Sequence, residues 1–156
     1  MIKRILLGLL IVFAAIQFIR PAQNLAPATG PNEITTRFPV SPEVRQILET
    51  ACFDCHSNHT RYPWYANVQP AGWFLAQHVN EAKQRLNFSE FATYKPERAT
   101  RKLEQAIDEV KEGGMPLGSY TLLHPDARLT PAQIQLFVDW AEAARRSLAP
   151  PAPAHP

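Results

Sequence analysis

Apolar residues recur at helical spacing in four stretches of the chain. Val44, Ile47, Leu48 and Ala51 stand one helical face apart and predict a helix over 42–52. The same reading gives helices over about 71–84, 96–112 and 131–146. Leu103, Ala106, Ile107 and Val110 share a face in the third, and Ile134, Phe137, Val138 and Ala141 share one in the fourth. Boundary residues agree with this spacing. Ser41-Pro42-Glu43 supplies a capping hydroxyl, a proline in the first turn and an acid at the positive helix end. Thr130-Pro131-Ala132-Gln133 reads as a capping box, and Gly113 closes the third helix. The expected fold class is all-α, four to five helices with few strands, and an irregular stretch over 57–70.

A different pattern occupies the N-terminus. Ile5 to Ile19 is apolar except for Gln17, and Lys3, Arg4, Arg20 and Pro21 flank it. At ~1.5 Å per residue the run covers roughly 22 Å of a hydrocarbon core about 30 Å thick. Counting Ile2 and letting the flanking cations snorkel makes a marginal span, and the same features describe a secretory leader. Residues 1–20 are therefore expected to be a signal anchor or a signal peptide, with Ala26-Pro27-Ala28 as a small-x-small cleavage pattern. Either way the basic N-terminus stays in the cytoplasm and the rest is exported. The expected location is the periplasmic face of a bacterial inner membrane, or the soluble periplasm after cleavage.

Composition divides the remainder. Nine of the 15 prolines fall in 21–42 and 150–156, so the first reads as a stiff proline-rich tether and the second as a disordered tail. One domain's length of chain, 43–149, lies between them. With 16 basic and 14 acidic residues the net charge is +2, and 21–156 alone carry about −1. That balance excludes a nucleic-acid binder, whose affinity rests on a basic patch.

The helix over 42–52 runs into Cys52-Phe53-Asp54-Cys55-His56. Two thiols three residues apart can each add to one vinyl group of a haem, while the next imidazole reaches the iron from the same side. This predicts one covalent haem c on Cys52 and Cys55, with His56 as iron ligand. A thioredoxin-like dithiol would open a helix after a strand, and no such strand is readable here. Zinc on Cys52, Cys55, His56 and His59 would need four ligands within eight residues, a poor start for a tetrahedron.

The sixth iron position has few candidates. Gly113-Gly114-Met115-Pro116 places Met115 in an irregular loop 59 residues beyond His56, which suits a distal ligand better than a gap-filling core methionine. His78 is the rival, on a helix. His59 is too close to His56 to reach the other side of a porphyrin, His124 reads as a surface residue, and His155 lies in the tail. Tyr62, Trp64 and Tyr65 follow His56 closely and are candidates to wall the haem, with the carbonyl of Pro63 or Pro70 accepting from His56 Nδ1. Phe137 and Trp140 are candidates to cross the attachment helix and keep water from the haem edge.

The order Cys-x-x-Cys-His, Met-Pro, and a Leu-Thr-Pro-capped last helix resembles the class I cytochrome c fold. More narrowly, Cys55 to Tyr65, His78-Val79, Leu86-Asn87-Phe88-Ser89-Glu90 and Met115-Pro116-Leu117 resemble the bacterial membrane-anchored haem-binding domain family over about 43–146. The resemblance implies a small cytochrome c-like domain around one haem. With Met115 on iron, substrates have no open position, and single-electron transfer is the remaining chemistry. A monomeric carrier serving redox partner proteins of a respiratory chain is expected, rather than an enzyme. With an open or labile sixth position, the alternative is an enzyme or sensor for peroxide or a diatomic gas.

Overall fold

A computed structural model describes residues 1–27 and 29–148, and eight α-helices follow one another along them. They are α1 (Ile2–Ile16), α2 (Ile34–Arg37), α3 (Pro42–Ala51), α4 (Phe53–His56), α5 (Ala71–Arg85), α6 (Pro96–Lys111), α7 (Gly118–Leu123) and α8 (Pro131–Leu148). Single turns of 3-10 helix cover Trp64–Asn67, Phe88–Thr93 and Pro125–Ala127. Among the described residues there is no strand; one antiparallel bridge joins Leu25 to His59. The fold is all-α, and α3, α5, α6 and α8 occupy the four stretches that periodicity marks. The tail over 150–156, with His155, lies outside the described residues, as does Ala28.

The caps form as their side chains dictate. Val44 N donates to Ser41 Oγ at 3.3 Å. Gln133 N donates to Thr130 Oγ1 at 3.3 Å while Thr130 N donates to Gln133 Oε1 at 2.9 Å, a reciprocal box that satisfies two free amides of the first turn. At the end of α6, Gly113 takes φ +75°, a conformation open to glycine without a Cβ penalty, and turns the chain toward Met115.

Helix α8 packs across α6 and α3. Their facing residues, Val44, Ile47, Leu48, Leu103, Ile107, Phe137 and Ala141, are the buried core. Trp140 closes one edge, its Nε1 donating to the Pro39 carbonyl at 3.2 Å.

One expectation needs correction. Residues 21–42 are not a spacer free of the domain. Ile34 and Phe38 are buried in the core, Phe38 meeting Phe91 edge to face, and α2 packs on the Phe88–Thr93 turn. Asn24 Nδ2 donates to the Ser57 carbonyl at 2.9 Å and to Thr60 Oγ1 at 3.0 Å. Prolines restrict φ but leave apolar side chains free to bury, and Ile34 and Phe38 do so.

The N-terminal helix is shorter than the apolar run that contains it. Helix α1 has 15 residues, exposed or half-exposed throughout, and no helix among the described residues is long and apolar enough to cross a membrane. The α-helix stops at Ile16, three residues short of the apolar run. Gln17, Phe18 and Ile19 instead bond three residues back, to Ala14, Ala15 and Ile16.

Candidate haem site

Helix α3 breaks at Cys52, whose backbone turns to φ −125° and ψ −49°, and α4 sets off in a new direction. The break aims His56 back beneath the end of α5. There His56 Nδ1 stands 3.0 Å from the Leu86 carbonyl. A carbonyl only accepts, so Nδ1 carries the proton and Nε2 presents its lone pair, the tautomer a metal ligand requires. Burial pulls the imidazole pKa below its ordinary value, outweighing the upward pull of the Leu86 carbonyl. The ring is therefore neutral near pH 7. The acceptor is not Pro63 or Pro70, as proximity along the chain suggests, but a residue 30 positions on.

Leu86 is held in place by the segment that follows it. Asn87 Oδ1 accepts from Ser89 N at 3.0 Å, and Asn87 N donates to the Tyr94 hydroxyl at 3.0 Å. Asn87 Nδ2 donates to Asn58 Oδ1 at 2.8 Å, and Asn58 Nδ2 donates to Glu90 Oε1 at 2.7 Å. The residues just after His56 and those just after Leu86 are thus tied to each other, which fixes both ends of the His56 hydrogen bond.

Cys52 and His56 line a cavity of about 570 Å³ whose other walls come from α5, α6, α8 and the loop after α6. Leu86, Phe88, Ala106, Val110, Leu129 and Phe137 give it an apolar lining, and Met115 and Pro116 bound it from the loop. Arg85, Lys102, Gln105, Asp108, Glu109 and Glu112 supply its polar groups. Met115 N donates to the Glu109 carbonyl at 3.0 Å, which ties the loop back to α6. A large apolar space bounded by a neutral imidazole, a thioether sulfur and a thiol fits haem: its faces are apolar, its iron takes nitrogen and sulfur donors, and Arg85 and Lys102 are cations for its carboxylates.

The structure brings together four of the residues singled out by sequence, Cys52, His56, Met115 and Phe137. Cys55 is half-buried and does not line the cavity. It lies on the side of Tyr65 and Tyr120. Burial pushes the Cys52 thiol up to about 12, with a further push from Cys55. Burial and the neighbouring Asp54 charge push Cys55 up to about 11. Neither is a thiolate near neutrality, which is unlike a reactive dithiol.

The other candidates lie elsewhere. Trp64 is exposed and meets Tyr65 edge to face. Tyr62 accepts from Asn24 N at 2.7 Å, holding the N-terminal segment rather than a cofactor. None of the three aromatics lines the cavity, because the chain after His56 leaves toward Asn24 and Ala26 instead of folding over it. His78 sits on α5 away from the cavity, its Nδ1 2.9 Å from the Phe74 carbonyl and its ring on that of Phe74, centroids 4.1 Å apart. His59 Nδ1 stands 2.8 Å from the Ala26 carbonyl. Among the described residues no group of three or more histidine, cysteine or carboxylate side chains is arranged to hold a metal ion.

Sequence reasoning missed the Leu86 carbonyl and the wall formed by Phe88 and Val110. Leu86-Asn87-Phe88-Ser89-Glu90 was visible as an unusual element, but a backbone acceptor carries no residue signature.

A helical domain with a half-open cavity, apolar in most of its lining and bearing a neutral histidine at its wall, has room for a large planar cofactor. The comparisons narrow this: the haem-binding domain family model matches residues 11–143, and the chain belongs to that family. No curated protein and no solved structure matches it. The matched range begins inside α1, so it takes in the 21–42 segment that the structure packs onto the domain.

Proposed function

We propose that this haem-binding protein is an exported monohaem electron carrier of the cytochrome c kind. The observation that carries the reading is that His56 and Met115, 59 residues apart in sequence, bound the same apolar cavity as Cys52. In this reading Cys52 would hold the haem by a thioether bond at the cavity wall and Cys55 by a second, and His56 and Met115 would give its iron a nitrogen and a sulfur donor. Bound haem supplies a reversible one-electron iron couple.

The chain's residues do the rest. Leu86 orients His56 and keeps its proton on Nδ1. Phe88, Val110 and Phe137 exclude water, which favours the less charged state of the iron. Arg85 and Lys102 would pair with the propionates. With His56 and Met115 both given to the iron, substrates would find no open position there, and electron exchange with partner proteins of a respiratory chain would be the chemistry left.

The N-terminus fits a membrane anchor in this reading. Helix α1 and the turn that continues it to Ile19 hold an apolar stretch from Ile5 to Ile19 of roughly 22 Å at ~1.5 Å per residue, against a hydrocarbon core of ~30 Å. Lys3 and Arg4 would snorkel at one end and Arg20 at the other. The domain then works at the periplasmic face, where confinement near membrane partners raises its effective concentration.

The test is acid–acetone extraction of the full protein, followed by carbon monoxide addition to the reduced form. Haem that stays with wild type and leaves the Cys52→Ala, Cys55→Ala double variant supports thioether attachment. Complete release from wild type overturns it. Rapid carbon monoxide binding at neutral pH would replace the carrier with a gas-binding sensor or an enzyme.

A further inference from the structure

Gln17 is the one strongly polar residue of the apolar run from Ile5 to Ile19, and the structure gives it a specific partner. Gln69 N donates to Gln17 Oε1 at 2.8 Å, and Gln17 Nε2 donates back to the Gln69 carbonyl at 3.2 Å. Two residues further along the leader, the Ile19 carbonyl accepts from Trp73 Nε1 at 2.7 Å. Three hydrogen bonds thus join the end of the apolar stretch to the start of α5.

The receiving surface is itself rigid. The Gln69 side chain is buried, and its Oε1 accepts from Trp73 N at 3.0 Å. At Gly72 a Cβ would collide with the Ala66 carbonyl and the Gln69 amide, so glycine is what lets the Trp64–Asn67 turn press against the head of α5. Around the joint the surface is apolar. Phe18 and Ile19 are 88% and 63% exposed, Trp64 79%, Val68 38% and Phe74 57%.

We propose that Gln17, Gln69 and Trp73 clamp the leader helix to the domain at a fixed angle, and that the collar of Phe18, Ile19, Trp64, Val68 and Phe74 seats the domain on the lipid surface. The occupant is lipid because the collar is continuous with a helix that is apolar on every face. Such a helix is stable where hydrocarbon surrounds it. Tryptophan and phenylalanine beside the exit of that helix suit the headgroup boundary, and the exposed Arg20 supplies a cation for lipid phosphates. Paired backbone and side-chain amides at the joint meet each other's hydrogen-bonding needs where water is scarce. The leader is then a permanent part of the protein, and the haem plane keeps one angle to the membrane.

This inference rests on the anchor reading above, and the experiment separates the two. Full-length holoprotein is reconstituted into vesicles of phosphatidylethanolamine and phosphatidylglycerol, sedimented, and dried as oriented multilayers for electron paramagnetic resonance of the ferric haem. The expected result is a haem signal that changes strongly as the layers are rotated in the field. That dependence is lost in Gln17→Leu with Trp73→Phe, and reduced in Trp64→Ser with Phe74→Ser, at unchanged haem content. Wild-type protein that sediments with vesicles yet gives the same spectrum at every angle overturns the clamp and collar. Protein that stays in the supernatant, or a mature chain that begins after Ile19, overturns the anchor itself and the clamp with it.

Discussion

The Tyr120 hydroxyl donates to Asp54 Oδ2 at 2.7 Å, linking α7 to α4 across 66 residues. Arg61 completes the arrangement, its Nε 3.0 Å from Oδ1 and its second terminal nitrogen 3.1 Å from Oδ2. Asp54 is the residue between the two cysteines' turns and is buried, so its charge needs both partners. The loop bearing Met115 leads directly into α7, and this bond holds the far end of that loop against the Cys52–His56 segment.

Replacing Tyr120 by Phe removes one charged hydrogen bond from a half-buried site. A loss of about 1 kcal/mol is expected, read as a lower urea midpoint at unchanged slope. The pH dependence has a definite sign. Burial first, and then the bond to Asp54, raise the Tyr120 pKa above its ordinary 10.0, so the folded state holds the phenolic proton more tightly than the unfolded chain. The contribution is present below pH 10 and is lost as pH rises beyond it. The stability advantage of wild type over Tyr120→Phe should therefore shrink above about pH 10, by at most ~1.4 kcal/mol per pH unit. An advantage that grows with pH there would contradict the assignment.

Ile34 is fully buried, although it lies in the segment that composition marks as a tether. Ile34→Ala should cost about 2–5 kcal/mol, the usual range for emptying such a site. Thermal unfolding of the holoprotein measures it. A cost near zero would mean that residues 21–42 stand apart from the core.

Tyr62 separates a structural from a cofactor role. Tyr62→Phe removes the bond from Asn24 N and should cost about 1 kcal/mol, while leaving the optical spectrum of both redox states unchanged. A shifted spectrum would return Tyr62 to the cofactor's surroundings.

On the proposed ligation, Met115→Ala should keep its haem but lose the weak far-red absorption of methionine on ferric iron, with a change of spin state. His78→Ala should leave both untouched. The reverse pair of results would transfer the sixth position to His78.

How much was legible in sequence depends on the range of the interaction concerned. Spacing of apolar residues, capping hydroxyls and a glycine at a helix end act within a turn or two, and α3, α5, α6 and α8 appear where those signals stand. The short α7 has no apolar stripe long enough to read. Of the residues that a fixed spacing and an irregular loop mark in the sequence, Cys52, His56 and Met115 meet at one cavity, and Cys55 does not line it.

The sequence by itself determined that this is a helical chain with an apolar N-terminal run, a Cys-x-x-Cys-His segment and a methionine loop far downstream, since each is a local pattern of residue types. Only the tertiary structure decided that Leu86 orients His56, that Tyr62, Trp64 and Tyr65 leave the cavity, that residues 29–42 close the core, and that Gln17 answers Gln69. These depend on which backbone groups and side chains meet across 30 or more residues. Such meetings follow from the packing of α3, α6 and α8 and carry no mark in the residues themselves.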